Sequence, residues 1–173
     1  MNPLVETLNF YLALGGVASF LIAVILFVDV KREQSFRPFI ERYGLHGALL
    51  VSLVSSLIAL VYSETFGFVP CGLCWFERIF LFSQVPLLLG ALYIKDKGVA
   101  VYGMILSGTG FVIALYHHYI QMGGSEFVKC PAAGNVDCAK RILFEFDFVT
   151  FPLLAVAGFA LLGALYYYVH KTR

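Results

Sequence analysis

Apolar residues fill this chain in five blocks that are separated by short polar segments. The blocks run from about Leu8 to Val30, Leu45 to Ser63, Trp75 to Ile94, Val99 to His118 and Thr150 to Val169. A helix needs about 20 predominantly apolar residues to cross a bilayer. The blocks are continuously apolar and lack the alternation of barrel strands. The pattern therefore predicts an all-α fold, a polytopic membrane helical bundle with five transmembrane helices.

The first block is interrupted only by Asn9 near its start and Asp29 near its end. It is longer than the apolar core of a signal peptide, and no basic residues precede it. We therefore expect a retained transmembrane helix rather than a cleaved leader.

Basic residues predict the orientation of the bundle, because Lys and Arg in short loops are retained on the cytoplasmic side. They cluster in the segment from Lys31 to Arg42, at Lys95 and Lys97, and in the tail at Lys171 and Arg173. All three clusters lie inside if the amino terminus is outside and the carboxyl terminus inside. The two connections that hold the cysteines are then extracytoplasmic.

Composition agrees with a membrane protein and excludes a nucleic-acid partner. The chain of 173 residues is 60% hydrophobic and 13% charged, whereas soluble domains carry about 25% charged residues. Its formal net charge of +1 leaves no strongly basic face for nucleic acid. We therefore expect the lipid bilayer as its surroundings and no separate soluble domain.

Cys71 and Cys74 form a CxxC sequence directly before the third apolar block. Thiolate is the reactive form of cysteine, and a helix amino terminus favours it. Arg78 lies one helical turn beyond Cys74, where its charge would favour that thiolate, and Glu77 is a plausible partner for this charge. Two simpler interpretations remain, half of a zinc site for the CxxC and an arginine that snorkels to the interface. A Glu-Arg doublet inside an apolar span nevertheless indicates function.

The second cysteine pair, Cys130 and Cys138, flanks the uncluttered segment PAAGNVD in the last polar loop. The simplest interpretation is a structural disulfide in an oxidising compartment, and the alternative is a disulfide that a partner protein approaches. His117 and His118 end the fourth block at the predicted depth of the CxxC. They are either interfacial polar residues or hydrogen-bond donors to an acceptor molecule held between the helices.

Three stretches resemble the disulfide bond formation protein B (DsbB) family of thiol:quinone oxidoreductases. They are PCGLCWFER at Pro70–Arg78, LYHHYIQ at Leu115–Gln121, and CAKR with the following FEFDFVTFP between Cys138 and Pro152. The first is similar to the PCxxCxxER signature of the family. In the second, His118 is the best match to a quinone-contacting histidine. The resemblance covers about Leu45 to Val169.

The resemblance implies a membrane enzyme that reoxidises a thioredoxin-fold, DsbA-like thiol oxidase and passes the electrons to the quinone pool of the cell (cytoplasmic or inner) membrane. It implies two redox-active disulfides, Cys71–Cys74 and Cys130–Cys138. The partner would attack Cys130, Cys138 would exchange with Cys71, and Cys74 would lie beside the quinone.

Quinone binding is implied for four side chains, with ubiquinone or menaquinone as the cofactor. Arg78 and His118 would bind the quinone oxygens, and Glu77 and His117 are predicted beside them.

Two features depart from the family pattern. The chain has one extra helix at its front, so we divide it into residues 1–44, the extra helix and its basic loop, and residues 45–173, a four-helix core with both cysteine loops. The interval between Cys130 and Cys138 is short, which limits how far Cys138 could move towards Cys71.

Three other functions are compatible with parts of this pattern. A vitamin K epoxide reductase-like redox protein also has two cysteine pairs and a quinone, but there the loop pair precedes the CxxC. A structural or transport protein would combine one structural disulfide with a metal-binding CxxC. A bare membrane scaffold would leave Glu77 and Arg78 without a role.

Overall fold

The computed structural model describes residues 3–32, 35–127, 130 and 137–172. Its helices are α1 (Pro3–Arg32), α2 (Arg37–Leu60), α3 (Gly72–Phe82), α4 (Gln84–Ile94), α5 (Val99–Gln121) and α6 (Phe151–Lys171). A π-helical turn, Val61–Thr65, extends α2. Two short strands, β1 (Phe144–Glu145) and β2 (Val149–Thr150), form an antiparallel hairpin before α6.

The prediction of a polytopic helical bundle is confirmed. Among the described residues, five helical segments are long and apolar enough to cross a membrane, with α3 and α4 together making the third. Large apolar side chains are exposed on their outer faces, as lipid contact requires; examples are Leu21, Ile25, Leu50, Ile105 and Val112. The chain is therefore a multi-pass membrane protein.

The third span, Gly72–Ile94, crosses as the single apolar block that the sequence predicts, but it consists of two consecutive helices. It breaks at Ser83, between α3 and α4. Pro86 lies three residues further on, and a proline inside a helix has no N–H to donate and crowds the carbonyl four residues earlier, here that of Phe82. The break therefore has a local cause in the sequence.

The basic segment from Lys31 to Arg42 is largely helical rather than a loop. Helix α1 continues to Arg32 and α2 begins at Arg37, where Pro38 occupies the first turn. Proline suits that position because the first N–H groups of a helix have no partner within it. Arg173, residues 33–34, and residues 131–136 between the second pair of cysteines lie outside the described residues.

Helix α6 is the centre of the bundle. In its most apolar stretch 61% of the residues are buried, compared with 17–33% in the other spans. It packs against α5, α1 and α2. Leu162 and Tyr166 of α6 form the main apolar core together with residues of the neighbouring helices such as Ala48 and Leu88. Helices α1, α2 and α5 pack directly on α6, whereas α4 packs mainly on α2.

The extra helix, α1, packs along α6. A β-carbon at Gly16 would collide with the Leu154 side chain, so glycine is what allows the two helices to approach here. At one end Asn9 accepts a 2.6 Å hydrogen bond from the Tyr62 hydroxyl. At the other end Asp29 accepts one of 2.6 Å from Tyr168. Helix α1 is thus fastened to the bundle at both ends, and the division of the chain at residue 44 stays a prediction.

Candidate functional site

The CxxC lies at the amino terminus of α3, as its sequence position predicts. Cys71 is the N-cap residue, and its Sγ accepts a 3.3 Å hydrogen bond from the backbone N–H of Cys74. The two Sγ atoms are 2.8 Å apart. An N-cap acceptor satisfies one of the N–H groups that a helix start leaves without a partner. The helix terminus therefore favours negative charge on Cys71, whereas the sequence had suggested Cys74.

The surroundings of Cys71 stabilise its thiolate. The pKa of this thiol is lowered to about 4, first because the Cys74 thiol can donate a hydrogen bond to it and then because His117 is close, while burial opposes both effects. A thiolate is the species that takes part in disulfide exchange. Cys71 is therefore in the reactive form over the whole physiological pH range when the pair is reduced.

His117 connects the CxxC to the second cysteine pair. Its Nε2 lies 3.6 Å from the Sγ of Cys71 and 3.2 Å from the carbonyl oxygen of Cys138. Its Nδ1 lies 2.8 Å from a carboxylate oxygen of Glu77. The carbonyl oxygen can only accept, so Nε2 carries a proton if it bonds there, and a Glu77 carboxylate likewise calls for a proton on Nδ1. Protons on both ring nitrogens make His117 an imidazolium, which lies between the Cys71 sulfur and the Glu77 carboxylate.

Cys130 and Cys138 are joined in a disulfide. Cys138 is completely buried, and the side-chain amide of Gln121 donates to its carbonyl oxygen at 3.3 Å. Cys130 is partly exposed. All four cysteines belong to one packed cluster with Leu73 and Ile120. The short interval between Cys130 and Cys138 therefore does not keep the two pairs in separate parts of the protein, since both belong to this cluster.

Arg78 lies on the same face of α3 as Cys74, as the helical spacing predicts. Its guanidinium donates a 2.7 Å hydrogen bond to the carbonyl oxygen of Ala59, near the π-helical turn, and lies 5.4 Å from the ring centre of Trp75. The predicted partner of Arg78 was Glu77, but that carboxylate contacts His117 instead. The half-buried guanidinium thus keeps donors for a further acceptor.

A cavity of about 710 Å³ adjoins the cysteines. Its walls come from α1, α2, α3, α5 and α6, and at the cysteine end it is lined by Cys71, Cys74, Glu77, Arg78, His117 and Gln121. The remaining lining is mainly apolar. Cavities of about 300–1,000 Å³ with a few converging polar groups are typical of small-molecule sites.

The two neighbouring histidines have different surroundings. His117 is fully buried in the site, whereas the Nδ1 of His118 lies 2.8 Å from the hydroxyl of Thr150, the N-cap residue of α6. His118 is not among the residues that line the cavity. Successive residues of a helix point about 100° apart, so only one of the two can face the cysteines. The geometry favours His117 over the predicted His118 as the histidine of the site.

Gln121 is a site residue that the motif analysis missed. It lies one turn after His117 on α5 and donates to the carbonyl oxygens of Cys138 and, at 3.1 Å, Lys140. Its own backbone carbonyl accepts a 2.6 Å bond from Arg141. These bonds fasten the segment after Cys138 to the end of α5. A glutamine four residues from a histidine in an apolar span was the available signal.

The site also offers ligands for a metal ion. One donor atom from each of Cys71, Cys74 and His117 lies within 4.8 Å of the other two. A soft metal such as zinc prefers this combination of sulfur and nitrogen. The metal-binding interpretation of the CxxC therefore has a geometric basis, which a direct measurement must test.

Comparison with known proteins identifies the family. Residues 41–169 match the family model described as disulfide bond formation protein DsbB. The chain belongs to the DsbB family. No solved structure gives a significant match. Helix α1 lies outside the matched range, in agreement with the prediction of an extra helix at the front.

Curated relatives carry names from the same process. The chain is similar to the probable disulfide formation protein C 1 of Bacillus anthracis, with 35% identity over 77% of this chain and 96% of that protein. It is also similar to the SPbeta prophage-derived disulfide bond formation protein B of Bacillus subtilis strain 168, with 39% identity over 65% of this chain and 75% of the relative. A probable disulfide formation protein of Chlamydia muridarum is 32% identical over 78% of this chain and 97% of its own length.

Membership of the DsbB family makes this chain a membrane protein of disulfide bond formation and an oxidoreductase of disulfides. The vitamin K epoxide reductase-like alternative finds no support in these matches. The roles of individual residues, the electron acceptor and the protein partner are matters for the proposal that follows.

Proposed function

We propose that this DsbB-family protein oxidises a reduced thioredoxin-fold thiol oxidase of the DsbA type and transfers the electrons to a membrane quinone. The observation that carries the proposal is the single cluster of four cysteines beside a large, mainly apolar cavity. One end of this cluster accepts electrons from a protein, and the other lies where a lipid-soluble acceptor would bind.

Electrons enter at the Cys130–Cys138 disulfide. A thiolate of the partner attacks the Sγ of Cys130, forms a mixed disulfide and releases Cys138 as a thiolate. The second thiol of the partner then attacks the mixed disulfide, so that the partner leaves oxidised and both cysteines are reduced. Partial exposure of Cys130 and complete burial of Cys138 support this choice of target, since access decides which sulfur is attacked.

Exchange between the two pairs follows within the cluster. The Cys138 thiolate attacks Cys71 in the Cys71–Cys74 disulfide and releases Cys74. The Cys130 thiolate then attacks Cys138, restores the loop disulfide and releases Cys71 as a thiolate beside His117. Two electrons have moved from one pair to the other. The 3.6 Å contact between His117 and Cys71 supports this step, because it stabilises the leaving thiolate.

The cavity fits a quinone. Its volume is that of a small-molecule site, and Arg78 provides donors for a quinone oxygen. The buried Oε1 of Gln121, which has no partner among the described residues, can accept a hydrogen bond from the hydroxyl of the reduced quinol.

A bound quinone would supply a two-electron, two-proton acceptor for the reduced CxxC. The Cys74 thiol carries one of these protons, and the second must come from outside the pair because Cys71 is a thiolate. Arg78 would bind a quinone oxygen, and Cys74 would be the sulfur nearest to the quinone. His117, whose ring nitrogens face Glu77 on one side and Cys71 and Cys138 on the other, would lie beside it and stabilise the Cys71 thiolate. The proposed role of His118 at the quinone has no geometric support of this kind.

The proposed orientation is that of the sequence prediction, with the amino terminus outside the cytoplasmic (inner) membrane and the carboxyl terminus inside. The ends of α1 and α6 that carry Lys31 and Lys171 come together at the end of the bundle opposite the cysteines, since Lys171 donates to the carbonyl of Val30 at 3.4 Å. This pairing supports one cytoplasmic basic face and one extracytoplasmic cysteine face.

A turnover assay tests the proposal. Purified protein receives a reduced thioredoxin-fold oxidase and either ubiquinone or menaquinone, and both thiol loss and quinone absorbance are followed. We expect quinone reduction with the wild type and none with Cys74→Ser. Cys130→Ser should block electron entry while quinone binding persists. Normal quinone reduction by Cys74→Ser would refute the assigned route.

The same preparation tests the metal-binding alternative, which the Cys71, Cys74 and His117 donor set favours. One equivalent of tightly bound zinc, together with no thiol turnover by the wild type, would replace the proposed function with a metal site. Turnover by zinc-free protein would support the redox function.

A further inference from the structure

Helix α1 forms one wall of the cavity beside the cysteines. It contributes Tyr11, Leu12, Gly15, Gly16 and Ser19 to the lining. The family match begins only at residue 41, so nothing in the matched region accounts for this wall. The role of α1 at this cavity must therefore follow from the residues of this chain, not from the family pattern.

The cavity extends along α1 away from the cysteines. Tyr11 and Ser19 are eight residues apart, which corresponds to about 12 Å along a helix. On α6 the lining runs over a similar distance, from Phe151 to Phe159. Polar lining groups are concentrated at the cysteine end, whereas the far part is lined by apolar residues of α2 and α6 such as Val54 and Leu154. An occupant with one polar and one long apolar end would match this distribution.

The far part of the cavity lies in a gap between α1 and α2. Helix α1 packs on α6, and the lining residues Gly15 on α1 and Leu50 and Val54 on α2 are exposed at the surface of the bundle. In a membrane this surface faces lipid. A lipid-soluble molecule can therefore enter sideways between the two helices.

Gln121 gives an independent indication of a polar group at the cysteine end. It is 5% exposed and lines the cavity, and its Oε1 has no hydrogen-bond partner among the described residues. A buried polar atom without a partner is unfavourable by about 1–3 kcal/mol. A ligand that donates a hydrogen bond to this acceptor, such as the hydroxyl of a reduced quinone, would remove the deficit.

We propose that α1 holds the apolar tail of the membrane quinone in the gap between α1 and α2, while the quinone ring lies at Cys74, Arg78 and Gln121. This inference rests on the proposed function and adds to it a binding surface from a helix outside the family match. It predicts that the chain distinguishes quinones by their tails and that α1 is responsible.

Glycine substitutions on two helices test the role of α1. A β-carbon at Gly15 meets nothing within 4 Å and Gly15 lines the cavity, so Gly15→Leu adds apolar volume to the cavity wall with no clash at the β-carbon. Gly108 on α5 is equally open but does not line the cavity, which makes Gly108→Leu the matched control. The measurement is the ratio of the dissociation constant for a quinone with several prenyl units to that for the same ring without a tail, each followed by quenching of the fluorescence of Trp75, the one tryptophan of the chain.

We expect this ratio to rise about tenfold in Gly15→Leu, the effect of excluding roughly two buried methylene groups from the gap. Gly108→Leu should keep the wild-type ratio. An unchanged ratio in Gly15→Leu, with wild-type quinone turnover intact, would overturn the role of α1 alone. If the wild type reduces neither quinone, the proposed function itself fails. If Gly15→Leu is not produced in folded form, Ser19→Leu, one turn further along α1, tests the same ratio.

Discussion

Replacement of His117 should raise the pKa of the Cys71 thiol, because the imidazole lies 3.6 Å from this sulfur. His117→Gln keeps a polar side chain of similar length but removes the charge. An opposite charge within about 4–6 Å shifts a pKa by about 1–3 units, and each unit corresponds to about 1.4 kcal/mol of thiolate stabilisation. The hydrogen bond from Cys74, the largest cause of the low pKa, stays in place.

The sign of the effect follows from the lowered pKa. In the wild type the Cys71 thiolate is present above about pH 4 and is lost as the pH falls through that value. In His117→Gln the midpoint should move upward to about pH 5–7. The reduced variant would then lose thiolate, and with it exchange rate, in the range where the wild type is unaffected.

Site-resolved alkylation measures this midpoint. Reduced protein is treated with a small neutral alkylating reagent between pH 3 and about pH 9, where ordinary thiols begin to ionise, and the modification of Cys71 is quantified by mass spectrometry. His118→Gln is the matched control, since His118 contacts Thr150 and not the cysteines. Equal midpoints for wild type and His117→Gln would refute the role of His117. A raised midpoint in His118→Gln would mean that His118 also stabilises the Cys71 thiolate, which contradicts the assignment to His117.

Two further predictions concern the cavity and the core. Arg78→Gln should raise KM for quinone roughly 10- to 150-fold, since a hydrogen bond to a charged group contributes about 1.5–3 kcal/mol; an unchanged KM in a folded variant would remove Arg78 from the site. Gln84→Leu should lower the free energy of unfolding in detergent by about 1–2 kcal/mol, because Tyr166 and Ser107 both donate to Gln84. An unaltered melting temperature would contradict this.

The span pattern and the CxxC at a helix start could be predicted because each depends on local sequence. Apolar length identifies a membrane helix, and a cysteine just before such a helix becomes its N-cap. The hairpin before α6 was not predicted, because its turn depends on Phe146 and Asp147, which adopt positive φ values of 53° and 62°. Such values are uncommon for residues other than glycine, asparagine, aspartate and histidine, so Phe146 gave no indication of the turn.

The contacts of the charged residues could not be predicted, because they depend on how helices face one another. Glu77 and Arg78 are adjacent in sequence, yet one reaches His117 on α5 and the other Ala59 on α2. Neighbouring positions on a helix point in different directions, so a doublet inside a bundle normally serves two different partners. That separation is what places a carboxylate behind the histidine and a guanidinium at the cavity.

The choice between the two histidines was nevertheless present in the sequence of α5. Six of its buried positions recur every three or four residues: Gly103, Ser107, Gly110, Ala114, His117 and Gln121. The glycines matter most, because a β-carbon at Gly103 would collide with the Tyr166 ring and one at Gly110 with the Phe159 ring. Close packing on α6 thus determines the rotation of α5 about its axis. The same spacing, continued to the end of the helix, places His117 and Gln121 on the buried face and His118 outside it. The small residues in the middle of α5 therefore determine which of the two imidazoles faces the cysteines.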